Sequence, residues 1–247
     1  MLNNKIAVIT GASRGIGLAT VELFAQHNAE IWACARDRTD EFENKIKEIA
    51  AVNLAVIKPV YFDVADHNGV KEAFHNIGKE SKRVDILVNN AGISLETLFN
   101  MTSLDTMRRV MEVNFLSQID IAQIASRYMI KNKCGSIVNV ASVAGIEAEE
   151  GGIAYGSSKA SILFATKIMS LELGKYGIRA NCVSPGFINT DMWKKRSPDV
   201  MEKVLRETPL NRMGKPEEVA QTILFLASDM SSFITGQNIV VDGGRKG

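Results

Sequence analysis

Three stretches of this chain, IAVIT (Ile6–Thr10), DILVNN (Asp85–Asn90) and SIVNVAS (Ser136–Ser142), are almost unbroken runs of apolar and β-branched residues. A strand with one wet face would alternate; continuous runs imply strands buried on both faces, as in a parallel sheet covered by helices on either side. Further short runs bounded by turn residues fill the pattern, and longer helical stretches separate them. The predicted strands are Lys5–Thr10, Glu30–Ala35, Val56–Asp63, Asp85–Asn89, Ser136–Ser142, Arg179–Ser184 and Asn238–Asp242, with about six helices between them. The expected fold class is therefore α/β, a doubly wound seven-stranded parallel sheet. No linker or low-complexity tract divides the 247 residues, so one domain spanning 1–247 is expected. Residues 187–215, rich in charge and Met and carrying Pro198 and Pro209, form the one long insertion, and it is read as a substrate lid with Met192 and Trp193 as apolar contacts.

Charge narrows the classes of partner. Twenty-nine basic and 28 acidic residues leave a net charge near +1, which supplies no general attraction for nucleic acid or an anionic membrane. Any anion site must be local. Cys34, Cys134 and Cys182 lack the spacing of a zinc site or disulfide framework, so no metal is expected and a reduced, cytoplasmic setting is. The opening MLNNKIAVIT runs straight into a strand without a secretory apolar region, and no segment reaches the roughly 18 apolar residues of a membrane span.

The sharpest local signal is Thr10-Gly11-Ala12-Ser13-Arg14-Gly15-Ile16-Gly17, which follows the first strand and opens an apolar-periodic helix. Strand, glycine turn and helix make an anion site, because glycines permit close backbone approach while free N–H groups and the positive helix end face a phosphate. The spacing is GxxxGxG rather than GxGxxG, so the mechanism of a Rossmann-like dinucleotide loop is present in a different lettering. At the end of the second strand an acid would select NAD(H) and a base NADP(H). Ala35 stands there, followed by Arg36; with Arg14, two guanidinium forks are available for a 2′-phosphate, and NADP(H) is expected. Asp37 is the competing feature.

Taken together, TGASRGIG, Asp63, Asn89-Asn90-Ala91-Gly92, Asn114, Ser142, Tyr155/Lys159 and Pro185-Gly186 resemble the short-chain dehydrogenase/reductase family along essentially the whole chain. Within it, TGASRGIG, DILVNNAGI and ITGQNIVVDGG are most similar to bacterial 3-oxoacyl-[acyl-carrier-protein] reductases. The resemblance implies that Gly11, Ser13, Arg14, Gly15, Ile16 and Gly17 cradle the pyrophosphate, that Asp63 and Val64 flank the adenine, and that Asn90, Ala91 and Gly92 pass beside the ribose. It also implies that Pro185, Gly186, Ile188 and Thr190 border the nicotinamide, and that the protein is a homotetramer built on the helices around Asn114 and Tyr155 and on the last strand.

Tyr155 and Lys159, in YGSSK, lie one turn apart on one helix face. An ammonium there stabilises a phenolate and brings the tyrosine toward working pH. By the resemblance Ser142 holds the substrate carbonyl oxygen, Tyr155 exchanges a proton with it, and Asn114 holds through its backbone a water linking Lys159 to solvent; Tyr155 and Lys159 also contact the cofactor. The predicted reaction is reversible carbonyl reduction with NADP(H), on a 3-oxoacyl chain carried by acyl carrier protein. Docking that acidic partner calls for a basic rim, for which Lys131, Lys133 and Lys175 are candidates, whereas Glu147, Glu149 and Glu150 put negative charge beside the entrance. The alternatives are a free small carbonyl such as a sugar, polyol, diketone or cyclic ketone, and a non-catalytic dinucleotide-binding protein, which would have no need of the intact Asn114, Ser142, Tyr155, Lys159 set.

Overall fold

The computed structural model describes residues 1–191 and 198–245. Seven strands form one fully parallel sheet: β1 (Ile6–Thr10), β2 (Glu30–Ala35), β3 (Ile57–Tyr61), β4 (Ile86–Asn89), β5 (Gly135–Val140), β6 (Ile178–Pro185) and β7 (Asn238–Val241). Their spatial order is β3-β2-β1-β4-β5-β6-β7. The order reverses between β1 and β4, so a crevice opens there beyond the carboxyl ends of the strands. All five residues of β1 and all six of β5 are buried, as the unbroken apolar runs require.

Alternate residues of β1 serve two cores. Ala7 and Ile9 join Val21, Phe24, Ile46, Val219 and Ile223 on one face. Ile6 and Val8 join Phe74, Ile77, Ile121, Ala125 and Met129 on the other. The covering helices are α1 (Gly15–Gln26), α2 (Asp40–Asn53), α3 (His67–Ser81), α4 (Leu104–Met111), α5 (Ser117–Asn132), α6 (Ile153–Leu173), α7 (Pro198–Glu207) and α8 (Pro216–Ala227). Local chemistry sets several ends. Thr39 caps α2 by accepting the Phe42 N–H, and three acids occupy its first turn, where the helix dipole favours them. At α8, Pro216 takes the first helical position and the Glu218 carboxylate reaches back to the Lys215 N–H at 2.7 Å.

The predicted strands match these within two residues at each end, and Glu30–Ala35 matches outright. The helix count differs: eight α-helices stand among the described residues where about six were expected. One of the additional helices, α7, lies inside the 187–215 insertion, for which no helix was expected; Pro198 starts it, a position that needs no N–H donor. Ile188 also forms an isolated parallel bridge with Gly214, closing the base of the insertion. Met192 and Trp193 lie outside the described residues.

Candidate active site

The glycine loop leaves β1 at the sheet's turning point. Thr10 Oγ1 accepts the N–H groups of Asn90 and Ala91, while Asn90 Nδ2 donates to the carbonyls of Thr10 and Gly11 at 3.1 Å each. The loops after β1 and β4 are thereby sewn together. Gly11 and Gly15 take left-handed φ values of +64° and +54°. A Cβ on Gly17 would fall 2.1 Å from the Gly11 carbonyl oxygen. The sequence thus needs glycine at these positions for backbone reasons. At the start of α1, Arg14 offers no side-chain cap and the first turn holds no acid, so the leading N–H groups face outward with the positive helix end. This cradle fits a dinucleotide's pyrophosphate. Ser13 is exposed, Ile16 half-buried, and Gly15 faces Thr190, whose Cγ2 lies 3.3 Å from where a Cβ would sit.

The two arginines expected at a 2′-phosphate are already engaged. Arg36 pairs with its neighbour Asp37 through Nε and Nη2, both at 2.8 Å, and Arg14 Nη1 lies 3.8 Å from Asp191. Asp63 accepts the Ala65 N–H and lies 3.9 Å from Arg109 Nη2, while Val64 packs against the second core. Pro185 ends β6; Gly186 then donates to the Val241 carbonyl, and Ile188 is buried.

The four residues read as catalytic come together beyond β4 and β5. Ser142 ends the extended chain after β5 and caps a short 3₁₀ turn by accepting the Ala144 N–H. Its hydroxyl also hydrogen-bonds the Tyr155 phenol. Tyr155 lies in the first turn of α6, and burial raises its proton affinity above that of a free phenol; the Ser142 bond works against this, and the nearby carboxylates of Glu149 and Glu96 reinforce it. One turn on, Lys159 is buried with its Nζ 5.7 Å from the Tyr155 ring centroid and donating to the Val140 carbonyl at 2.7 Å. Burial pulls the amine down to about 8.

Asn114 sits in a π-helical turn, Glu112–Leu116, between α4 and α5. Single π turns inside α-helices are frequent at functional sites. The fully buried carboxamide is saturated: it accepts the Ile93 N–H at 2.8 Å and donates to the Ile93 carbonyl and to Ser158 Oγ. Ser158 in turn donates to the Tyr155 carbonyl. The side chain therefore ties the post-β4 loop to the catalytic helix, with Ser158 as the link. Gly92 completes the enclosure, since a Cβ there would lie 3.2 Å from Asn114 Oδ1 and 3.6 Å from Lys159 Nζ.

Two features escape a linear reading. Lys131 and Lys133 end α5 just before β5, and Lys175 immediately precedes β6. They lie at the amino edge of the sheet, the opposite side from Ser142 and Tyr155, so within one chain they do not rim this mouth. Instead the mouth is met by Arg245 of the C-terminal tail, whose Nη2 lies 2.6 Å from Glu149 Oε1 and whose side chain is only 9% exposed. The signal available in the sequence was the DGG turn before it.

A family model described as Enoyl-(Acyl carrier protein) reductase matches residues 11–246. The chain is 42% identical over 243 residues to a 3-oxoacyl-[acyl-carrier-protein] reductase of Thermotoga maritima, covering 98% of both chains. It is 35% identical over 248 residues to a 3alpha-hydroxysteroid dehydrogenase of Mediterraneibacter gnavus, covering 100% of this chain and 98% of that one. A solved 3-oxoacyl-[acyl-carrier protein] reductase from Brucella melitensis superposes with a TM-score of 0.92 at 32% identity, over 99% of this chain and 92% of the other. The cradle at the sheet's turning point, the Ser142–Tyr155–Lys159 cluster and these full-length likenesses have one common explanation: the chain belongs to the short-chain dehydrogenase/reductase family, oxidoreductases that interconvert a hydroxyl and a carbonyl.

Proposed function

We propose that this chain reduces the 3-oxo group of an acyl chain carried on acyl carrier protein, using NADPH. The observation that carries this reading is the 42% identity to a reductase of that specificity, extending over 98% of both chains. The family's hydride carrier is a nicotinamide dinucleotide, and the Gly11–Gly17 cradle suits its pyrophosphate. When bound, it supplies the hydride that reaches the carbonyl carbon.

The protein's own residues do the rest. Ser142 donates a hydrogen bond to the substrate oxygen and orients it. Tyr155 gives that oxygen a proton as charge develops on it, and Lys159 favours the resulting phenolate. Asn114 holds the loops around the amine, and its backbone provides a place for a water that resupplies the proton. Arg36 and Arg14 favour NADPH once a 2′-phosphate displaces Asp37 and Asp191 from them, a phosphate dianion being the stronger partner for a guanidinium fork. The 187–215 segment, with α7, acts as the lid. Among the described residues no helix is long and apolar enough to cross a membrane, and we place the protein in the cytoplasm as a homotetramer.

The test is NADPH oxidation with acetoacetyl-acyl-carrier-protein against sugars, diketones and cyclic ketones. The carrier-bound substrate should give the highest kcat/KM, and NADPH should exceed NADH. Tyr155→Phe should retain NADPH binding and lose turnover by about 10²–10⁴. A second reading, a free cyclic ketone or similar alcohol, draws on the 35% likeness to the hydroxysteroid enzyme and on the absence of Lys131, Lys133 and Lys175 from the chain's own mouth. It wins if the carrier-bound substrate is inert.

A further inference from the structure

The C-terminal tail does more than end the sheet. After β7, Gly243 and Gly244 take φ of +70° and +81°, and the Asp242 carboxylate accepts the Gly244 N–H at 2.9 Å. This turn packs on the segment following α7: Leu210 donates its N–H to the Gly243 carbonyl, and a Cβ on Gly243 would stand 2.8 Å from Thr208 Cγ2. A side chain is blocked by contact at Gly243 and strained by the positive φ at Gly244, and the chain is aimed at one spot. Arg245 is what it delivers. Its guanidinium stacks over the Phe187 ring at 4.4 Å, meets Glu149 at 2.6 Å, and lies 3.9 Å from Glu207 at the end of α7. One nearly enclosed cation therefore joins three pieces of the mouth: the exit of β6, the lid helix, and the acidic loop between Ser142 and Tyr155.

We propose that Arg245 is a positioning residue for the proton transfer, neutralising Glu149 and pinning it so that the acidic loop leaves Tyr155 free to ionise. The proposal rests on the reading of Tyr155 as the proton-exchanging group. Among the described residues the charged groups acting on Tyr155 are few. Lys159 approaches the ring from the same helix, Glu149 from the 146–150 loop and Glu96 from the loop after β4; both carboxylates disfavour a phenolate. Arg245 is the partner that offsets Glu149. An unpaired carboxylate at that point opposes the phenolate more strongly, and an oxidation that needs the phenolate then starts at higher pH.

The test reads Tyr155 directly and needs no substrate. The tyrosinate absorbance of the full-length protein, less that of Tyr155→Phe, is titrated for wild type and variants. Arg245→Met should move the Tyr155 transition up by about half a pH unit, a threefold loss of phenolate below it. Arg245→Met combined with Glu149→Gln should restore it, and Arg245→Lys should preserve it. Glu149→Gln alone should move the transition down. Where turnover is measurable, the acid limb of kcat/KM for alcohol oxidation should follow the same order. An unmoved transition in Arg245→Met, a failure of the double variant to restore it, or no downward shift in Glu149→Gln overturns the proposal. A Tyr155 that titrates as described in an inactive protein would instead refute the assigned activity and leave the Arg245 relationship standing.

Discussion

At the scale of single residues the site is governed by burial. Lys159 is an amine held in a place that resists its charge: its pKa is about 8 in the folded chain against 10.5 as a free lysine. A lysine whose folded value is depressed costs stability wherever it must be charged. Below about pH 8 both folded and unfolded chains carry the proton and the cost is full, about 3 kcal/mol. Between about 8 and 10.5 the unfolded chain binds more protons than the folded one, so this residue's contribution to stability rises with pH. Lys159→Met removes that dependence. Wild type should gain on Lys159→Met in urea midpoint between pH 7 and pH 10, while the variant should lose turnover by two orders of magnitude or more. A constant difference between the two midpoints would mean the amine is not desolvated as its burial implies. Tyr155, Lys159 and Ser142 were legible as a spacing and a resemblance. Arg245 was not, because its partners Glu149, Phe187 and Glu207 come from three distant segments that only the folded sheet edge brings together.

At the scale of elements the same contrast holds. The strands were readable because two-sided burial leaves an unmistakable run of apolar residues, and the glycine loop because its backbone demands are absolute. Gly17→Ala tests the latter. A methyl 2.1 Å from the Gly11 oxygen and 2.6 Å from Asn90 Nδ2 must push the β1 and β4 loops apart. Dinucleotide affinity should fall at least tenfold by fluorescence titration, with the helical circular dichroism retained and about 1–3 kcal/mol of stability lost. The π turn at Asn114 was illegible, since nothing in EVNFL distinguishes it from ordinary helix. What fixes it is tertiary: the carboxamide occupies both polar groups of Ile93. Asn114→Ala leaves those groups without their partner in a half-buried loop, a cost of about 1 kcal/mol for each, since water can replace part of the lost bonding. Amide exchange at Ile93 should accelerate along with a drop in kcat, and an unchanged exchange rate would show that the loop is held by something else.

At the scale of the whole molecule, the catalytic helix has a second face. On α6, Phe164, Ile168 and Leu171 follow i, i+4, i+7 spacing, yet they point away from the core, and Phe164 and Leu171 are 67% and 81% exposed. Their separation along the helix makes a continuous apolar stripe on the element that carries Tyr155 and Lys159. Across the sheet's far edge, Phe233 and Val240 near β7 are exposed as well. Exposed apolar side chains at these two places are what the proposed homotetramer would bury in two kinds of interface. Phe164→Glu with Leu171→Glu places two carboxylates in the first of these interfaces, where an unpaired buried charge costs several kcal/mol. If the protein is the proposed homotetramer, light scattering should show the mass falling from four chains to two, with the contact through β7 surviving. Because α6 would lose its outer support, kcat should fall with the mass while the glycine loop keeps its dinucleotide affinity. A full-sized assembly in this double variant would move the interface off α6, and a monomeric wild type would remove the assembly altogether.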